Sequence, residues 1–331
     1  KERFIIDTDP GVDDLIALLY MFNKPEVQIE FITLSEGNCK MNHCKENVKK
    51  AFALIGREYP VYSGTSFQLI NDQVNAYDYH LEDGLGNIEE LKKIDVSSFR
   101  INHDSEYSAM QIVKTVNKYP GQINMACLAP STNLIIACML DPSLPKKFKN
   151  VLIMGGSEQW FGNAHSTSEF NFRHDYLAAN IFFKRFTNIL VCDWDSCAKV
   201  NIFVEDLDKA KEIALKKFGK INETVYSIVK DICIKFNDNK EFNVCDLYLL
   251  NSFLNHNTVK TYNLVKTRVS IDSSIHDGSL TVIDRIPGTI SFSDYFKDNY
   301  LKKKIPEGYN LFIDLINKDV VVEELSYIMK P

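Results

Sequence analysis

Four carboxylates lie within eight residues near the start of this chain. Residues 7–14 read DTDPGVDD and directly follow the apolar run Phe4-Ile5-Ile6. Mutual repulsion raises the pKa of clustered carboxylates unless a cation or a strong set of donors compensates. Carboxylate oxygens are the ligands that hard cations such as Ca²⁺ prefer. The segment therefore predicts a bound hard metal ion, and its acids are Asp7, Asp9, Asp13 and Asp14.

The elements around this segment place the acids at a strand-to-helix turn. Pro10 and Gly11 turn the chain, and apolar residues then recur at helical spacing as far as Phe22. In an open α/β sheet, ligands bind outside the carboxyl ends of the strands, which is where this turn would lie. The alternative, an acidic N-cap on a surface helix, explains Asp13 or Asp14 but not the two earlier acids as well.

Strand-like and helix-like runs alternate along most of the chain. This pattern predicts an α/β fold with an open, mostly parallel sheet and helices on both faces. The predicted strands cover residues 4–7, 27–34, 123–128, 151–154 and 189–192. The predicted helices cover residues 14–22, 43–55, 108–118, 132–140, 176–185, 206–217 and 223–236. Residues 264–292 have the composition of irregular strands, with Gly278 and Gly288 at turns.

Two polar stretches interrupt the alternation and are candidate lids. Residues 63–87 contain Gly84 and Gly86 beside His80, and residues 237–243 directly precede Cys245 and Asp246. Long loops of this kind are usually functional or disordered, and a loop that closes over a ligand excludes water from the chemistry. A passive surface excursion is the alternative for the first stretch.

Length and charge exclude several classes of protein. The motifs are scattered from Asp7 to Asp246, which favours a single domain over residues 1–331. Apolar residues make up 45% of the chain, enough for a core on both faces of a sheet. No apolar run approaches ~20 residues, so we expect no membrane span. The net charge is −6, and the lysines are dispersed apart from residues 302–304, which argues against a nucleic-acid partner.

The eight cysteines form no C-x-x-C pair and no zinc-like spacing. Their even number, the sequon Asn222-Glu223-Thr224 and a first residue that is Lys1 all fit a secreted chain whose signal peptide has been removed. We therefore slightly favour secretion, with a cytoplasmic protein as the alternative. Disulfide bonds stay open at this point.

The octet at residues 7–14 resembles the N-terminal signature D-x-D-P-G-x-D-D of the calcium-dependent, inosine-uridine-type nucleoside hydrolases. Further motifs follow in that family's order: Gly37-Asn38, Thr132-Asn133, Met154-Gly155-Gly156, Gly162-Asn163, Glu169-Phe170-Asn171 and Asp246. The resemblance implies a Rossmann-like fold with the site at the carboxyl ends of the strands. It also implies a ribonucleoside hydrolase that releases free base and ribose, and a homodimer or homotetramer.

The resemblance also implies which residues would hold the metal and the sugar. One Ca²⁺ would bind to Asp9, Asp14, Asp246 and the backbone carbonyl of Leu128, and Asp9 would act as the base on a Ca²⁺-bound water. The implied sugar contacts are Asp13, Asn38, Met154, Asn163, Glu169 and Asn171. Two alternatives stay open: Asp246 as the N-cap of a helix, and Met154 as a core methionine at the end of a strand.

The residues around the leaving base depart from the best-known pattern. Cys245 stands where relatives carry His or Trp, and a thiol is a weak donor, so it is either a proton donor or a neutral spacer. His80 matches a lid histidine of the family and could reach the base. Trp160 and Phe161 could stack on a purine, with ordinary loop anchors as the alternative. Purine nucleosides are therefore the expected better substrates.

Two other kinds of function fit part of the sequence. A haloacid-dehalogenase-like phosphatase also begins with a strand followed by D-x-D, but that family has Thr or Val where Gly11 stands. A non-catalytic protein that binds calcium or a nucleoside would carry the same ligands and lack only the chemistry. Release of phosphate from a phosphomonoester would favour the first of these alternatives, and binding without base release would favour the second.

Overall fold

A computed structural model describes residues 1–69, 77–101, 107–159, 161–239, 241–271, 276–297 and 305–331. The strands are β1 (Glu2–Thr8), β2 (Val27–Leu34), β3 (Val61–Ser63), β4 (Ile123–Cys127), β5 (Asn150–Met154), β6 (Leu190–Cys192), β7 (Val259–Val269), β8 (Leu280–Pro287) and β9 (Tyr309–Ile316). The helices are α1 (Val12–Asn23), α2 (Met41–Ile55), α3 (Tyr77–His80), α4 (Glu89–Lys92), α5 (Ser108–Lys118), α6 (Thr132–Leu140), α7 (Phe170–His174), α8 (Tyr176–Arg185), α9 (Trp194–Cys197), α10 (Val204–Phe218), α11 (Glu223–Asn239), α12 (Cys245–Leu254), α13 (Phe292–Lys297) and α14 (Lys318–Leu325). Short 3-10 segments cover Leu144–Lys146, His256–Thr258 and Ser326–Met329.

The described strands form one sheet in the order β3-β2-β1-β4-β5-β6-β9-β7-β8. The strands from β3 to β9 pair in parallel, and β7 and β8 add an antiparallel edge. The chain leaves β1 toward β2 on one side and reaches β4 on the other side, so the strand order reverses at β1. Asp7 pairs with Thr33 on β2 and with Cys127 on β4. The acid segment thus leaves the sheet at the position where open α/β folds bind ligands.

Alternating side chains of each strand enter two cores on opposite faces of the sheet. On β1, Phe4 and Ile6 join one core and Ile5 joins the other. Helix α1 is buried on almost every side because it packs between α2 and α12. This position holds the first turn of α1 beside the first turn of α12.

The predicted α/β class, the mostly parallel sheet and the five predicted strands are confirmed. The irregular strands expected over residues 264–292 are present as β7 and β8, which pair antiparallel from Asn263–Pro287 to Val269–Leu280 with a register shift between Lys266 and Thr267. β3 and β9 were not predicted. β3 has only three residues, too few for an alternating pattern to be detected. In the structure, β9 is established as a strand by its pairing with β6 and β7.

No helix in the described ranges is long and apolar enough to cross a membrane. All eight cysteines belong to the described residues, and each is a buried free thiol. Two pairs of thiols are in contact, Cys39 with Cys44 and Cys192 with Cys197, each at a sulfur-to-sulfur distance of 3.6 Å. The question of disulfides that the sequence left open is thus answered by reduced thiols in this structure.

Candidate active site

Three carboxylates converge where β1 leads into α1 and where α12 begins. Asp13, Asp14 and Asp246 each offer an oxygen, and these oxygens lie within 4.8 Å of one another. Asp13 and Asp14 are in the first turn of α1 and Asp246 is in the first turn of α12. Because α1 packs on α12, Asp14 and Asp246, which are 232 positions apart in the chain, reach the same point. Helix α12 has Val244 as its cap residue, so Asp246 does not serve as the N-cap.

The turn between β1 and α1 has no room for larger residues. A Cβ atom on Gly37 would lie 2.0 Å from Oδ2 of Asp9, and one on Gly11 would lie 2.7 Å from the His80 ring. Gly11 is the cap residue of α1, and its backbone N–H donates to Oδ2 of Asp14 at 3.0 Å. Glycine is therefore required at both positions to let the acid segment and its neighbours approach.

Asn38 connects two of the acids. Its backbone N–H donates to Oδ2 of Asp9 at 2.7 Å, and its side-chain amide donates to Oδ2 of Asp14 at 3.0 Å. Thr8 adds a third donor, from its hydroxyl to Oδ1 of Asp14 at 2.5 Å. These bonds hold Asp9 and Asp14 in fixed orientations.

Burial and mutual repulsion raise the pKa values of the acids at this site. Burial raises the pKa of Asp13 to about 8, with the charge of Asp14 as the second cause. Burial, followed by the charge of Asp14, also raises the pKa values of Asp9 and Asp246 well above the ordinary value. The Oδ1 atoms of Asp9 and Asp13 are buried and have no hydrogen-bond partner among the described residues. Two unpartnered acceptors within a group of four acids fit a hard cation, which would supply the missing positive charge.

Asp7 belongs to the acid segment but points away from this group. Its carboxylate accepts hydrogen bonds from Thr33 at 2.6 Å and from Asn133 at 2.8 Å. Burial raises its pKa to about 7, although both donors lower it. Asp7 therefore connects β1 to β2 and to α6, and its role is structural.

The backbone carbonyl of Leu128 follows directly after β4, and Leu128 lines the same cavity as Asp13 and Asp246. The Asn171 amide donates to this carbonyl at 2.7 Å and to the Met154 carbonyl at 3.1 Å. The Met154 sulfur is 3.5 Å from the same nitrogen. Asn171 thus links the ends of β4 and β5. Asn171, a predicted sugar contact, is therefore a direct neighbour of the Leu128 carbonyl, a predicted metal ligand.

Glu169 caps the short helix α7. Its carboxylate accepts hydrogen bonds from the backbone N–H groups of Asn171 at 2.8 Å, Gly156 at 2.8 Å and Phe172 at 3.2 Å. Burial raises the pKa of Glu169 to about 7, and the three N–H donors lower it. Asn163 holds the start of the same helix, because its Oδ1 accepts the N–H of Phe170 at 2.8 Å.

His80 and Cys245, the two residues predicted to act on the leaving base, line the same cavity. Nδ1 of His80 accepts the backbone N–H of Val12 at 3.4 Å, so the neutral ring carries its proton on Nε2. A hydrogen bond with the Cys197 thiol lowers the pKa of Cys245, but burial and the charge of Asp13 outweigh it and raise that pKa to about 11. The thiol is therefore protonated at neutral pH.

These residues surround one cavity of about 220 Å³. Its lining includes nine of the predicted residues that contribute side chains, together with Leu128: Asp13, Asn38, His80, Leu128, Met154, Asn163, Glu169, Asn171, Cys245 and Asp246. It also includes residues that were not predicted as site residues: Tyr79, Ala164, Phe170, Trp194 and Asn243. Trp194 follows the predicted strand 189–192 by two residues, so the rule that ligands bind beyond strand ends could have identified it.

The two predicted lid stretches meet beside this cavity. The Tyr79 hydroxyl donates to the Glu241 carbonyl at 3.1 Å, and the Tyr79 ring packs on Phe236 with centroids 5.1 Å apart. Phe161 is not part of the cavity lining, since its side chain is 71% exposed and its N–H is bound to Ser157 at 3.0 Å. That position does not support the stacking predicted for Phe161. Trp160 lies outside the described residues.

Comparison with known proteins agrees with this geometry. The family model described as inosine-uridine preferring nucleoside hydrolase matches residues 4–304. The chain belongs to this family.

Individual nucleoside hydrolase relatives match part of the chain. A probable uridine nucleosidase 2 of Oryza sativa subsp. japonica is 32% identical over 213 residues, which are 62% of this chain and 60% of the relative. The inosine-uridine preferring nucleoside hydrolase of Leishmania major is 28% identical over 195 residues, 58% of this chain and 60% of the relative. The matched region thus spans less than two thirds of these relatives' own length.

Solved nucleoside hydrolase structures share the fold over nearly the whole chain. A plant nucleoside hydrolase superposes with a TM-score of 0.78 at 24% identity and covers 100% of this chain and 99% of its own. An inosine-guanosine nucleoside hydrolase also superposes with a TM-score of 0.78, at 19% identity, and covers 99% of this chain and 98% of its own. The Rossmann-like nucleoside hydrolase fold implied by the sequence is confirmed.

Proposed function

We propose that this protein hydrolyses the N-glycosidic bond of ribonucleosides and releases the free base and ribose. The observation that carries the proposal is the single cavity lined by Asp13, Asp246, Glu169 and Asn171. The lining combines acids, one of which has an unpartnered carboxylate oxygen, with amide and carboxylate groups that suit sugar hydroxyls.

A calcium ion is part of the proposal. The ion would be held by Asp9, Asp14, Asp246 and the backbone carbonyl of Leu128. A carboxylate oxygen of Asp13 lies within 4.8 Å of oxygens of Asp14 and Asp246, so Asp13 is close enough to join them. When bound, such an ion lowers the pKa of a water molecule in its coordination sphere and orients sugar hydroxyls. The two unpartnered Oδ1 atoms support a cation at this point.

Asp9 is the proposed general base. A carboxylate with a raised pKa is a better proton acceptor near neutral pH than an ordinary one, and burial raises the pKa of Asp9. Asn38 orients Asp9 through its backbone N–H, so Asp9 can take a proton from the attacking water in a fixed direction.

The sugar side of the cavity would stabilise the positive charge that develops on the ribose ring. Glu169 lies there with its carboxylate oriented by three backbone donors, and Asp13 and Asn171 lie beside it. Because these groups are held rigidly by the protein, they need little reorganisation as the bond breaks.

Purine nucleosides are the proposed better substrates. Tyr79, Phe170 and Trp194 line the cavity, and a purine offers a larger aromatic surface to such side chains than a pyrimidine. A pyrimidine preference is the second candidate, and the name of the rice relative, a probable uridine nucleosidase, favours it.

A base-release assay tests the proposal. The protein is incubated with inosine, guanosine, adenosine, uridine and cytidine, with Ca²⁺ or with a chelator, and free base is measured by chromatography. We expect base release that requires Ca²⁺ and is abolished in Asp9→Ala. Saturable binding without base release would point to a non-catalytic binding protein, and phosphate release from a phosphomonoester would point to a phosphatase.

A further inference from the structure

Trp194 is the aromatic residue of the cavity that the sequence motifs leave without a role. It is the first residue of α9 and is partly buried at the edge of the larger core. It lines the cavity together with Cys245 and Asn243, the residues at the start of α12. Cys245 is not aromatic, and Tyr79, Phe170 and Trp194 supply the aromatic part of the cavity lining.

The position of Trp194 is fixed by its backbone and by its helix. Its N–H donates to the Gly156 carbonyl at 2.8 Å, and Asp193 caps α9 by accepting the N–H of Ser196 at 3.0 Å. At the other end of α9, the Cys197 thiol contacts Cys192 at 3.6 Å and hydrogen-bonds Cys245. The small side chain of Cys245 thus connects α12 to the helix that carries Trp194.

Trp194 also differs from the other aromatic residues of the cavity in its partners. Tyr79 packs on Phe236 and His80, and Phe170 packs on His174 with ring centroids 5.4 Å apart. Within the described ranges, the Trp194 indole has no ring partner, and its N–H donates no hydrogen bond. Because the indole lines the cavity and has none of these partners, a ligand in the cavity can contact it.

We infer that Trp194 is the specificity-determining residue of the base subsite, and that its indole face contacts the nucleobase of the substrate. This inference rests on the proposed function. A purine overlaps the indole more than a pyrimidine does, so the contact favours purine nucleosides. Cys245 contributes by being small and by holding α9 in place.

Kinetics of Trp194→Ala and Trp194→Phe test the inference. We expect kcat/KM for inosine and guanosine to fall about tenfold or more in Trp194→Ala, the effect of losing one base–aromatic stack, and to fall less for uridine. Trp194→Phe keeps an aromatic face and should recover most of the loss. Inhibition by free ribose should be unchanged in both variants, because ribose lacks the base. An unchanged purine-to-uridine ratio, or an equal loss of ribose inhibition, overturns the inference.

Fluorescence provides a second measurement that does not depend on turnover. The chain contains two tryptophans, so in Trp160→Phe the remaining tryptophan signal comes from Trp194. Guanosine should quench this signal in a saturable manner and free ribose should not. Absence of quenching by a nucleoside that the protein hydrolyses contradicts the inference and leaves the proposed function standing. Failure to hydrolyse any nucleoside contradicts the proposed function, and quenching then still tests the base contact.

Discussion

The side-chain amide of Asn38 donates a hydrogen bond to Oδ2 of Asp14 at a nitrogen-to-oxygen distance of 3.0 Å. Asn38 is on the loop after β2, and Asp14 is in the first turn of α1. This bond determines which way the Asp14 carboxylate faces inside the group of acids.

Asn38→Ala should weaken Ca²⁺ binding and lower the rate of base release. Removing a donor from a buried carboxylate costs about 1–3 kcal/mol, so the orientation of the Asp14 carboxylate that binds the ion should be favoured roughly 5- to 150-fold less. The Ca²⁺ concentration at half-maximal activity measures the effect. Asn117→Ala is the matched control, because Asn117 donates to Asp141 at 2.9 Å on the exposed surface and neither residue lines the cavity. Equal effects of the two substitutions would contradict a specific role for Asn38.

The stability of the metal-free protein should fall as the pH rises from about 4 to 8. Burial raises the pKa of Asp13 to about 8 from an ordinary value near 3.8, so between these values the folded state binds more protons than the unfolded state. Stability then decreases with rising pH over this window, since its slope follows the protons bound by the unfolded state minus those bound by the folded state. Asp7, with a pKa raised to about 7, acts in the same direction.

Calcium should reverse this loss, because a bound cation favours the charged carboxylates. The gain in Tm on adding Ca²⁺ should therefore be larger at pH 8 than at pH 5. Asp246→Asn removes one buried charge and should make the metal-free protein less sensitive to pH while abolishing the Ca²⁺ gain. A Ca²⁺ gain in Tm that is the same at both pH values would show that these carboxylates do not bind the ion.

Glu169→Gln should lower kcat more than it raises KM. The Glu169 carboxylate accepts three backbone N–H groups, and an amide side chain offers only one oxygen, so at least one donor loses its partner. A resulting shift of α7 and of Asn171 by about 1 Å could reduce turnover about 100-fold. Steady-state kinetics with inosine measure both constants. A rise in KM with unchanged kcat would assign Glu169 to ground-state binding alone.

Cys245→Ser should leave turnover nearly unchanged, whereas His80→Ala should lower it. The pKa of Cys245 is raised to about 11, so its thiol is a poor proton donor, and serine keeps the size and the hydrogen bond. His80 carries a ring proton and lines the cavity. With a nitrophenyl riboside, whose leaving group needs no proton, the loss in His80→Ala should be much smaller than with inosine. A large loss in Cys245→Ser would instead make the thiol part of leaving-group activation.

The sequence alone determined the fold class and the acidic half of the site. The segment at residues 7–14 is local: an apolar strand, a Pro-Gly turn and a helix follow one another, so their order predicts where the acids lie. Five strands and most of the long helices followed from the same local periodicity. The later motifs, such as Glu169-Phe170-Asn171, could be connected to the acids only through the family resemblance.

The tertiary structure decided which of these residues work together. Asp246 joins Asp13 and Asp14 because α1 packs on α12, a contact between distant segments that no local pattern specifies. Asp7 belongs to the same acid segment and has the same side chain, but its carboxylate accepts a hydrogen bond from Thr33 on β2 instead.

The base side of the cavity depends even more on packing between distant elements. Phe161 matches an aromatic role by its position beside Asn163 yet is exposed, while Trp194 reaches the cavity because β6 and α9 place it beside α12. Local sequence specifies the backbone path of each segment, but the direction of a side chain depends on the neighbours that the whole sheet brings to it.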